Sequence, residues 1–342
     1  MNWFAYRLPG ESGVKTGSSA TIIRGIGEAG FAIAPFDRNP DGFITIPEGL
    51  TDGIFESEDD SVGSLYAFPA VSTSASKHEK TVIAIKRLID EGRLRKCVAA
   101  RVIVREDRID LHDTFLSLCE AYPEAFVFCF HTSVTGTWIG ASPETLLIKK
   151  GDSLISMALA GTRPAGTNGE WDKKNIEEQR IVSGFISDKL IENGFMPHPG
   201  NTHTYTAGPV EHIRTVFTAR DAVSDKDACL HKALKTAFDL SPTPALAGYP
   251  RPESMKAIKA YEDFERGYYG GFCGPVTAGG DFSFFVNLRS ARILPDRLCV
   301  YAGGGIMKDS DPMSEWEETE RKAQTCLGRI QTDNRSSNKK QK

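Results

Sequence analysis

The chain has 342 residues, of which 40% are hydrophobic and 25% are charged, with a formal net charge of −4 at pH 7. The composition is typical of a globular protein, and the slightly acidic balance argues against a general nucleic-acid binder, which would carry a basic domain or stripe. No apolar run approaches the length of a membrane span, and the N-terminal residues lack the basic start and apolar block of a secretion signal. The seven cysteines are scattered without a Cys-x-x-Cys pair, so we expect reduced thiols in a cytoplasmic protein.

Hydrophobic periodicity predicts most of the regular elements. Residues 1–75 mix short apolar pieces with turn residues and an acidic cluster at 56–60, which predicts short strands and loops. After them the pattern predicts, in chain order, a helix at 77–91, a strand at 96–104, a hairpin of 126–130 with 137–139, a pair of strands at 146–149 and 154–159, helices at 172–193, 227–238 and 252–266, paired strands at 282–293 and 297–301, and a helix at 312–330.

The length allows one large domain or two ordinary ones, and no change in composition marks a boundary. We therefore predict a single domain over residues 1–330. The tail at 331–342 is polar and basic and is expected to be disordered. Because strands and helices alternate irregularly, the sequence favours an α+β fold over a doubly wound sheet.

A glycine turn at 303–305 precedes a candidate helix start at Ser310-Asp311-Pro312. Glu315 and Glu318 are three residues apart and project from one helix face. Consecutive glycines let a ligand approach the backbone, and two carboxylates beside them suggest a hard metal ion that holds an anion. The alternative, which the local pattern alone favours, is a solvated acidic helix face next to an ordinary turn.

Two residues have the surroundings of an acid–base pair. Lys96 opens an apolar strand, where it is either the solvated end of the strand or a partly desolvated amine able to act as a base. Glu144 follows Pro143 between two strands, and the fixed φ of the proline helps to aim its side chain. It is either a turn glutamate in water or a semi-buried general acid with a raised pKa.

Other polar residues could bind an anion or a metal. Glu178 lies partly on the inward face of its predicted helix and needs a partner, which is either a basic residue or a metal. Residues 160–162 follow a strand and offer backbone NH groups and a threonine hydroxyl to a carboxylate. Arg289, on an alternating strand, is either a surface residue or a bidentate carboxylate clamp. Tyr269 and His212 are each either structural or directed at a ligand.

The order of the motifs is more specific than any one of them. The chain has no Walker loop, dinucleotide fingerprint, His-Glu-x-x-His or Gly-x-Ser-x-Gly elbow. It does carry KCVAAR (96–101), GASPETL (140–146), ALAGTRP (158–164), VEHIRTVF (210–217), LSPTPALAGYPR (240–251), ERGYYGGFCGPV (265–276), NLRSARI (287–293) and YAGGGIMKDSDPMSEWEETERKA (301–323).

In this combination, which covers roughly residues 80–330, the chain resembles the chorismate-utilising enzymes. That family includes isochorismate synthases, salicylate synthases, and the large subunits of anthranilate and aminodeoxychorismate synthases. The resemblance implies a compact α+β body in which packed antiparallel sheets lie inside an outer layer of helices, so that residues 1–330 would form one chorismate-binding catalytic domain. Residues 1–75 resemble the family less.

The resemblance also implies a set of site residues and a Mg²⁺ ion that binds the ring carboxylate of chorismate. The matching metal ligands, some of them acting through water, are Glu178, Glu315 and Glu318. The implied substrate-binding residues are Ala160, Gly161, Thr162, His212, Tyr269, Arg289, Gly303, Gly304, Gly305 and Lys322.

Two positions separate the subfamilies. Lys96 stands where a lysine activates water, whereas anthranilate synthases, which use ammonia, carry glutamine there. Ala160 stands where aminodeoxychorismate synthases carry a nucleophilic lysine. The segment 242–251 also looks like isochorismate synthases. The chain departs from the family at Ser241 and Gln179, which both replace a histidine and could change hydrogen bonding around the site.

The resemblance therefore implies a Mg²⁺-dependent isochorismate synthase, an isomerase in which neutral Lys96 is the base and protonated Glu144 is the acid. Salicylate synthase and an anthranilate synthase component I-like enzyme remain alternatives. A catalytically silent subunit is disfavoured because both residues are present. We further expect a cytoplasmic monomer without a glutaminase partner, acting on chorismate and serving menaquinone biosynthesis rather than a siderophore.

Overall fold

The computed structural model describes residues 1–27, 29–49, 54–55, 64–221 and 226–332. Within these ranges it contains six α-helices: α1 (Ala75–Asp90), α2 (Leu111–Ala121), α3 (Lys173–Glu192), α4 (Lys226–Leu240), α5 (Arg251–Tyr261) and α6 (Pro312–Leu327). The strands in the same ranges are β1 (Asn2–Arg7), β2 (Lys15–Ser19), β3 (Ile23–Arg24), β4 (Gly30–Ala34), β5 (Ile44–Pro47), β6 (Lys96–Arg105), β7 (Phe126–Thr132), β8 (Gly136–Ser142), β9 (Thr145–Lys150), β10 (Ser153–Pro164), β11 (His198–Pro199), β12 (His203–Ala207), β13 (Val210–Arg220), β14 (Gly248–Tyr249), β15 (Phe272–Val276), β16 (Phe282–Val286), β17 (Ser290–Ile293) and β18 (Leu298–Ile306).

The strands form two large sheets. The first has the order β14-β6-β18-β17-β8-β7-β1-β2, and the second has the order β11-β13-β10-β9-β16-β15-β4-β5-β3, with β12 paired to β13. Neighbouring strands in both sheets run antiparallel. Helices cover the sheets, with α3 against β10 and α6 against β18. The predicted α+β fold of packed antiparallel sheets with surrounding helices is confirmed.

Strand β7 shows how the sequence builds the layers. Its residues Phe126, Phe128 and Phe130 point into an aromatic cluster shared by both sheets, while Val127 and Cys129 point to a second cluster under α2 and α6. Both faces of the strand are therefore buried, which explains its continuous apolar run. The Phe126 ring stacks on Phe285 of the other sheet with centroids 4.1 Å apart. Burial of each such ring contributes about 2 kcal/mol, so this cluster holds the two sheets together.

The predicted strand 282–293 is wrong as a single element. Its first part is β16 in the second sheet, and its last part is β17 in the first sheet. The chain crosses between the sheets at 287–289, where Arg289 has φ +51°, a left-handed conformation that side-chain-bearing residues seldom adopt. Residues 284–286 are consecutive apolar residues and Arg289 and Ser290 are consecutive polar residues, so strict alternation does not continue through the crossing. Arg289 therefore lies at a junction of the two sheets and not on a strand.

Most other predicted elements are found within a few residues of their expected ends. Three ends differ by five residues: α5 stops at Tyr261 instead of 266, β10 continues to Pro164 instead of 159, and β18 continues to Ile306 instead of 301. Residues 160–162 therefore lie within β10 and the glycines 303–305 lie within β18, so the expected glycine turn is wrong. The prediction lacks α2, although Asp110 caps it and Leu111, Phe115 and Leu118 form its buried face. In residues 1–75, β1 and β4 are fully paired members of the two sheets. The acidic cluster at 56–60 and residues 333–342 of the predicted disordered tail lie outside the described residues.

The sequence predicts that no segment spans a membrane and that the cysteines are reduced thiols. Every helix in the described part of the chain is too short or too polar to span a bilayer. All seven cysteines are unpaired, and six of them are buried, as expected for structural thiols.

Candidate active site

A cleft of about 600 Å³, including its open mouth, gathers residues from across the sequence. Most of the predicted site residues line it, namely Glu144, Ala160, Thr162, Glu178, His212, Tyr269, Arg289, Gly303, Gly305 and Lys322. The remaining ones stand directly behind this lining, because Lys96 contacts Glu178, Gly161 contacts His212, and Glu315 and Glu318 face Gly304. The motifs that are separated in sequence are thus brought together in one place.

Glu144 lies in the turn between β8 and β9 and is only 2% exposed. Its backbone NH donates to Ser142 Oγ at 3.3 Å, which holds the turn, and the Thr243 hydroxyl is 3.5 Å from Oε1. Burial raises the pKa of Glu144 to about 8, although the positive charges of Lys96 and Arg289 oppose the shift. The carboxyl therefore keeps its proton at neutral pH and can donate it, while the alternative of a turn glutamate in water is wrong.

Lys96, the first residue of β6, is completely buried, which excludes a solvated strand end. Its Nζ lies 2.8 Å from Glu178 Oε1 on α3. Burial would raise the pKa of Glu178, but the ammonium groups, with Lys96 the strongest, hold this pKa below its usual range. A Cβ at Gly305 would stand 2.3 Å from Glu178 Oε1, so the glycine is needed for this pair to reach the backbone. Lys96 and Glu178 therefore form a buried pair, in which Glu178 lines the cleft and Lys96 stands directly behind it.

The arginine clamp is oriented by a histidine. Arg289 Nη2 lies 3.0 Å from His212 Nε2, and Nη1 donates to Thr325 Oγ1 at 3.0 Å. His212 Nδ1 lies 2.8 Å from the carbonyl oxygen of Gly161, which can only accept, so Nδ1 carries the proton and Nε2 accepts from Arg289. Burial lowers the pKa of His212 well below its usual value, and Arg289 lowers it further. His212 is thus a neutral acceptor that positions Arg289.

Each of the three predicted metal ligands pairs with one lysine: Glu178 with Lys96 at 2.8 Å, Glu315 with Lys174 at 2.5 Å, and Glu318 with Lys322 at 2.6 Å. Burial and the charge of Glu318 raise the pKa of Glu315. Across the described ranges, no group of three or more His, Cys, Asp or Glu side chains is arranged to hold a metal ion. The carboxylates are neighbours, but their oxygens are directed at ammonium groups.

The donor chemistry nevertheless suits a hard cation. A Cβ at Gly304 would lie 2.8 Å from Glu315 Oε2 and 3.6 Å from Glu318 Oε1, so both carboxylates face the same glycine. Glu315 Oε2 is buried without a hydrogen-bond partner, and a buried carboxylate oxygen in that condition is costly unless a cation or donor reaches it. Oxygen ligands of this kind are those that Mg²⁺ prefers. The residues present therefore fit the ion that the family resemblance implies.

Sequence reasoning missed several residues of the site. Leu246 lines the cleft and Thr243 approaches Glu144, and both belong to the segment 242–251 whose family resemblance gave a usable signal. Tyr301, also in the lining, stacks on Tyr269 with centroids 5.2 Å apart. Lys174 was missed although it precedes Glu178 by four residues and so shares its helix face.

The two departures from the family pattern lie outside the cleft lining. Gln179 Nε2 donates to the carbonyl oxygen of Ala158 at 3.2 Å and to Thr215 Oγ1 at 3.1 Å, which ties α3 to the second sheet. Ser241 is buried after α4, where its carbonyl oxygen accepts from Arg251. Both residues have structural contacts.

Comparison with known proteins agrees with this geometry. The profile of a family described as chorismate binding enzyme matches residues 56–331. The chain belongs to the chorismate-binding enzyme family. It is 31% identical over 272 residues to the vibriobactin-specific isochorismate synthase of Vibrio cholerae, an alignment that covers 75% of this chain and 67% of the relative.

The family also contains relatives with another activity in their names. Anthranilate synthase component 1 2 of Haloarcula marismortui is 30% identical over 295 residues, which are 81% of this chain and 52% of that protein. The chain thus matches between about half and two thirds of the length of these two relatives. The structure of MenF, the menaquinone-specific isochorismate synthase from Escherichia coli, covers 97% of this chain and 89% of its own with a TM-score of 0.79 and 21% identity. This likeness shows that the fold is the same.

Proposed function

We propose that the protein is an isochorismate synthase, which isomerises chorismate by adding water at C2 and expelling the hydroxyl group at C4. The observation that carries the proposal is the buried carboxyl of Glu144, which keeps its proton at neutral pH and lines the cleft. Glu178, which pairs with Lys96, lines the same cleft. The relative named as a vibriobactin-specific isochorismate synthase supports the same activity.

Glu144 supplies the proton that the leaving group needs. Its pKa of about 8 keeps it protonated at pH 7, and its place in the cleft lining gives a bound substrate access to it. Donation to the C4 hydroxyl releases water and leaves Glu144 as a carboxylate. The attacking water releases one proton for the one proton that Glu144 donates, so the overall reaction consumes no net acid or base.

Lys96 takes the proton from water as the oxygen bonds to C2 and the ring double bonds shift. This role needs the neutral amine, whose Nζ lies 2.8 Å from Glu178 Oε1. Bound by Glu178, Glu315 and Glu318, Mg²⁺ would neutralise the ring carboxylate of chorismate and take up the charge of Glu178. Lys96 itself is held in place as the first residue of β6.

The rest of the cleft binds the two carboxylates of the substrate. Arg289, held by His212, is a guanidinium suited to a bidentate contact with a carboxylate. Burial raises the pKa of Tyr269 to about 12, so its phenol remains a hydrogen-bond donor. Lys322 donates to the carbonyl oxygen of Gly303 at 3.0 Å, which places its charge beside the glycines of β18. Fixed donors of this kind orient the ring for the acid and the base.

Two residues favour water over nitrogen as the nucleophile. Lys96 is present where the resemblance places glutamine in anthranilate synthases, and Ala160 occupies the position of the nucleophilic lysine of aminodeoxychorismate synthases. The cleft lining includes Ala160, whose methyl group offers no nucleophile. These residues support isochorismate synthase over the amino-chorismate alternatives.

The test is a product assay with purified protein, chorismate and Mg²⁺, followed by chromatography. We expect isochorismate from the wild type, and a loss of about 10²- to 10⁴-fold in rate for Glu144→Gln and for Lys96→Ala. The exposed Lys150→Ala, on the end of β9, is the matched control and should retain the wild-type rate. Salicylate with pyruvate would assign salicylate synthase, and an aminated product that requires ammonium would contradict the proposal.

The assignment to menaquinone biosynthesis, the monomeric state, the cytoplasmic location and the lack of a glutaminase partner are part of the same proposal. A knockout of the gene that lowers menaquinone, without loss of a catecholate siderophore, would support the pathway. Light scattering of the purified protein tests the monomer, and a dimer would contradict it.

A further inference from the structure

Lys174 connects the two helices that carry the predicted metal ligands. It lies in the first turn of α3, four residues before Glu178, so both side chains project from the same helix face. Its Nζ lies 2.5 Å from Oε1 of Glu315, which is in the first turn of α6. The Glu315 side chain is 1% exposed and that of Lys174 is 23% exposed. One partly accessible lysine thus reaches the most deeply buried of the three carboxylates.

The ammonium of Lys174 is central among the acidic charges of the site. It interacts electrostatically with Glu315 most strongly, then with Glu318 and Glu178. The lysines that pair with the other two glutamates have further tasks, because Lys96 is the proposed base and Lys322 also donates to the carbonyl oxygen of Gly303 in β18. Lys174 is outside the lining of the cleft. Its ammonium thus pairs with Glu315 without taking part in the lining of the substrate cleft.

We propose that Lys174 is the internal cation of the metal-free enzyme, and that Mg²⁺ binds by displacing its ammonium from Glu315. The inference rests on the proposed function, because that function places Mg²⁺ at these glutamates. Neighbouring buried carboxylates repel one another unless a positive charge lies among them, and a lysine on a flexible stem supplies one. A divalent cation among the same oxygens repels the ammonium, so the two compete.

The arrangement of the oxygens agrees with this competition. Each glutamate directs an oxygen at its own lysine, which is why the described carboxylates do not form a ready ligand group. Glu315 keeps Oε2 without a hydrogen-bond partner while Oε1 holds Lys174. If the Lys174 side chain moved away, Glu315 Oε1 would also become available to the metal ion. The ammonium would then lie in solvent on the exposed side of α3. The site would then be stable without metal and have a moderate affinity for it.

The direct test measures the accessibility of the Lys174 amine in the wild-type protein. Reductive methylation followed by peptide mass spectrometry is run in EDTA and in millimolar Mg²⁺. We expect methylation of Lys174 to accelerate roughly fivefold or more with Mg²⁺, in the range typical of coupled binding events. The neighbouring Lys173, which is exposed, is the internal control and should be unaffected. Unchanged or slower methylation of Lys174, while calorimetry shows Mg²⁺ binding, would overturn the proposal.

A matched pair of variants tests the competition by affinity. Lys174→Met and Lys173→Met lose the same charge from adjacent positions, and only the first loses a contact with Glu315. Calorimetric titration with Mg²⁺, without chorismate, should show about tenfold tighter binding for Lys174→Met and less than about twofold change for Lys173→Met. Equal gains in both variants would indicate a general charge effect and refute the role of Lys174. Mg²⁺ binding to neither wild type nor Lys174→Met would refute it as well.

Failure here is separable from failure of the proposed function. A wild-type protein that makes isochorismate with Mg²⁺, but shows neither the methylation change nor the affinity gain, would leave the enzyme assignment standing and remove the displacement of Lys174. A metal-free Lys174→Met protein should also unfold at a lower temperature than wild type and recover more stability when Mg²⁺ is added. A gain in stability on addition of Mg²⁺ would show that the Lys174→Met protein is folded and binds the ion, and is not a misfolded protein.

Discussion

Glu144 and Glu178 are two buried glutamates of one cleft that differ in the charge beside them. Glu144 has the Thr243 hydroxyl at 3.5 Å, and burial raises its pKa to about 8. Glu178 has the Lys96 ammonium at 2.8 Å, and although burial opposes the shift, its pKa is held below the usual range. The same side chain is thus an acid in one place and an anion in the other, because the partner and not the burial decides the charge.

The largest effect is expected when the partner of Glu178 is removed. Lys96→Met leaves a buried carboxylate without its counter-ion, which should lower the free energy of unfolding by about 3–5 kcal/mol, as measured with denaturant. The double variant Lys96→Met/Glu178→Leu should recover most of that loss, because no unpaired charge remains. A single variant as stable as wild type would show that the pair does not fix the charge of Glu178.

The second prediction uses pH to separate the two glutamates. Glu144 has a raised folded pKa, so its contribution to stability is complete below its unfolded pKa of about 4.5 and is lost as pH rises towards 8. Between pH 5 and 8 the wild type should therefore lose on the order of 3 kcal/mol relative to Glu144→Gln, whose amide does not titrate. Glu178 has a lowered folded pKa and should show the opposite slope, with stability lost as pH falls below about 4.5.

Activity should follow the same proton on Glu144. The rate should fall as pH rises above about 8, because the general acid is then a carboxylate. Chemical denaturation of wild type and Glu144→Gln across the pH range, together with a pH–rate profile, measures both effects. Parallel stability curves for the two proteins would contradict a raised pKa at Glu144.

A smaller effect is expected from the histidine that positions the arginine. His212→Ala removes the acceptor 3.0 Å from Arg289 Nη2, so the guanidinium loses its orientation while keeping its charge. We expect KM for chorismate to rise about tenfold with little change in kcat, the size expected for one hydrogen bond to a charged group. His212→Gln, which retains an acceptor, should restore part of the affinity. A loss confined to kcat would instead make His212 a participant in the reaction.

The smallest effect is expected at a departure from the family pattern. Gln179 contacts Ala158 and Thr215 and lies outside the cleft lining. A substitution of Gln179 therefore tests whether the residue next to Glu178 in the sequence affects the charge of Glu178. Gln179→His should change the stability by about 1 kcal/mol, the value of one ordinary hydrogen bond, and the steady-state rate by less than about twofold. A rate change above tenfold would show that this position acts on the site through α3.

Much of the site could be predicted because its residues belong to short motifs whose order is specific. Gly303 and Gly305, Glu144 and Arg289 were found in this way, and the structure brings them into one cleft, although the glycines lie in β18 and not in the expected turn. The partners could not be predicted, since the pairing of Lys96 with Glu178 joins a strand to a helix 82 positions later. Local sequence does not show whether the side chain of Lys96 lies in solvent, beside a carboxylate or beside a substrate. Its surroundings depend on how distant helices and strands pack together.

The fold was predictable where one pattern continues over a whole element, as in the helical periodicity of α3 and the continuous apolar run of β7. It was not predicted at 287–289, where the chain passes from one sheet to the other inside a segment that the sequence analysis interprets as one strand. The left-handed backbone of Arg289 belongs to that crossing and carries no sequence signal comparable to a glycine. The residue that clamps the substrate in our proposal is thus placed by topology and not by its strand.

The most direct test of the account is the conversion of chorismate in water enriched in ¹⁸O, with Mg²⁺ and wild-type protein, followed by mass spectrometry of the product. Water addition at C2 with loss of the C4 hydroxyl predicts isochorismate that carries one ¹⁸O atom, located at C2, and released water that contains the former C4 oxygen. Isochorismate without the label, or no isochorismate at all from the folded protein, would contradict the account.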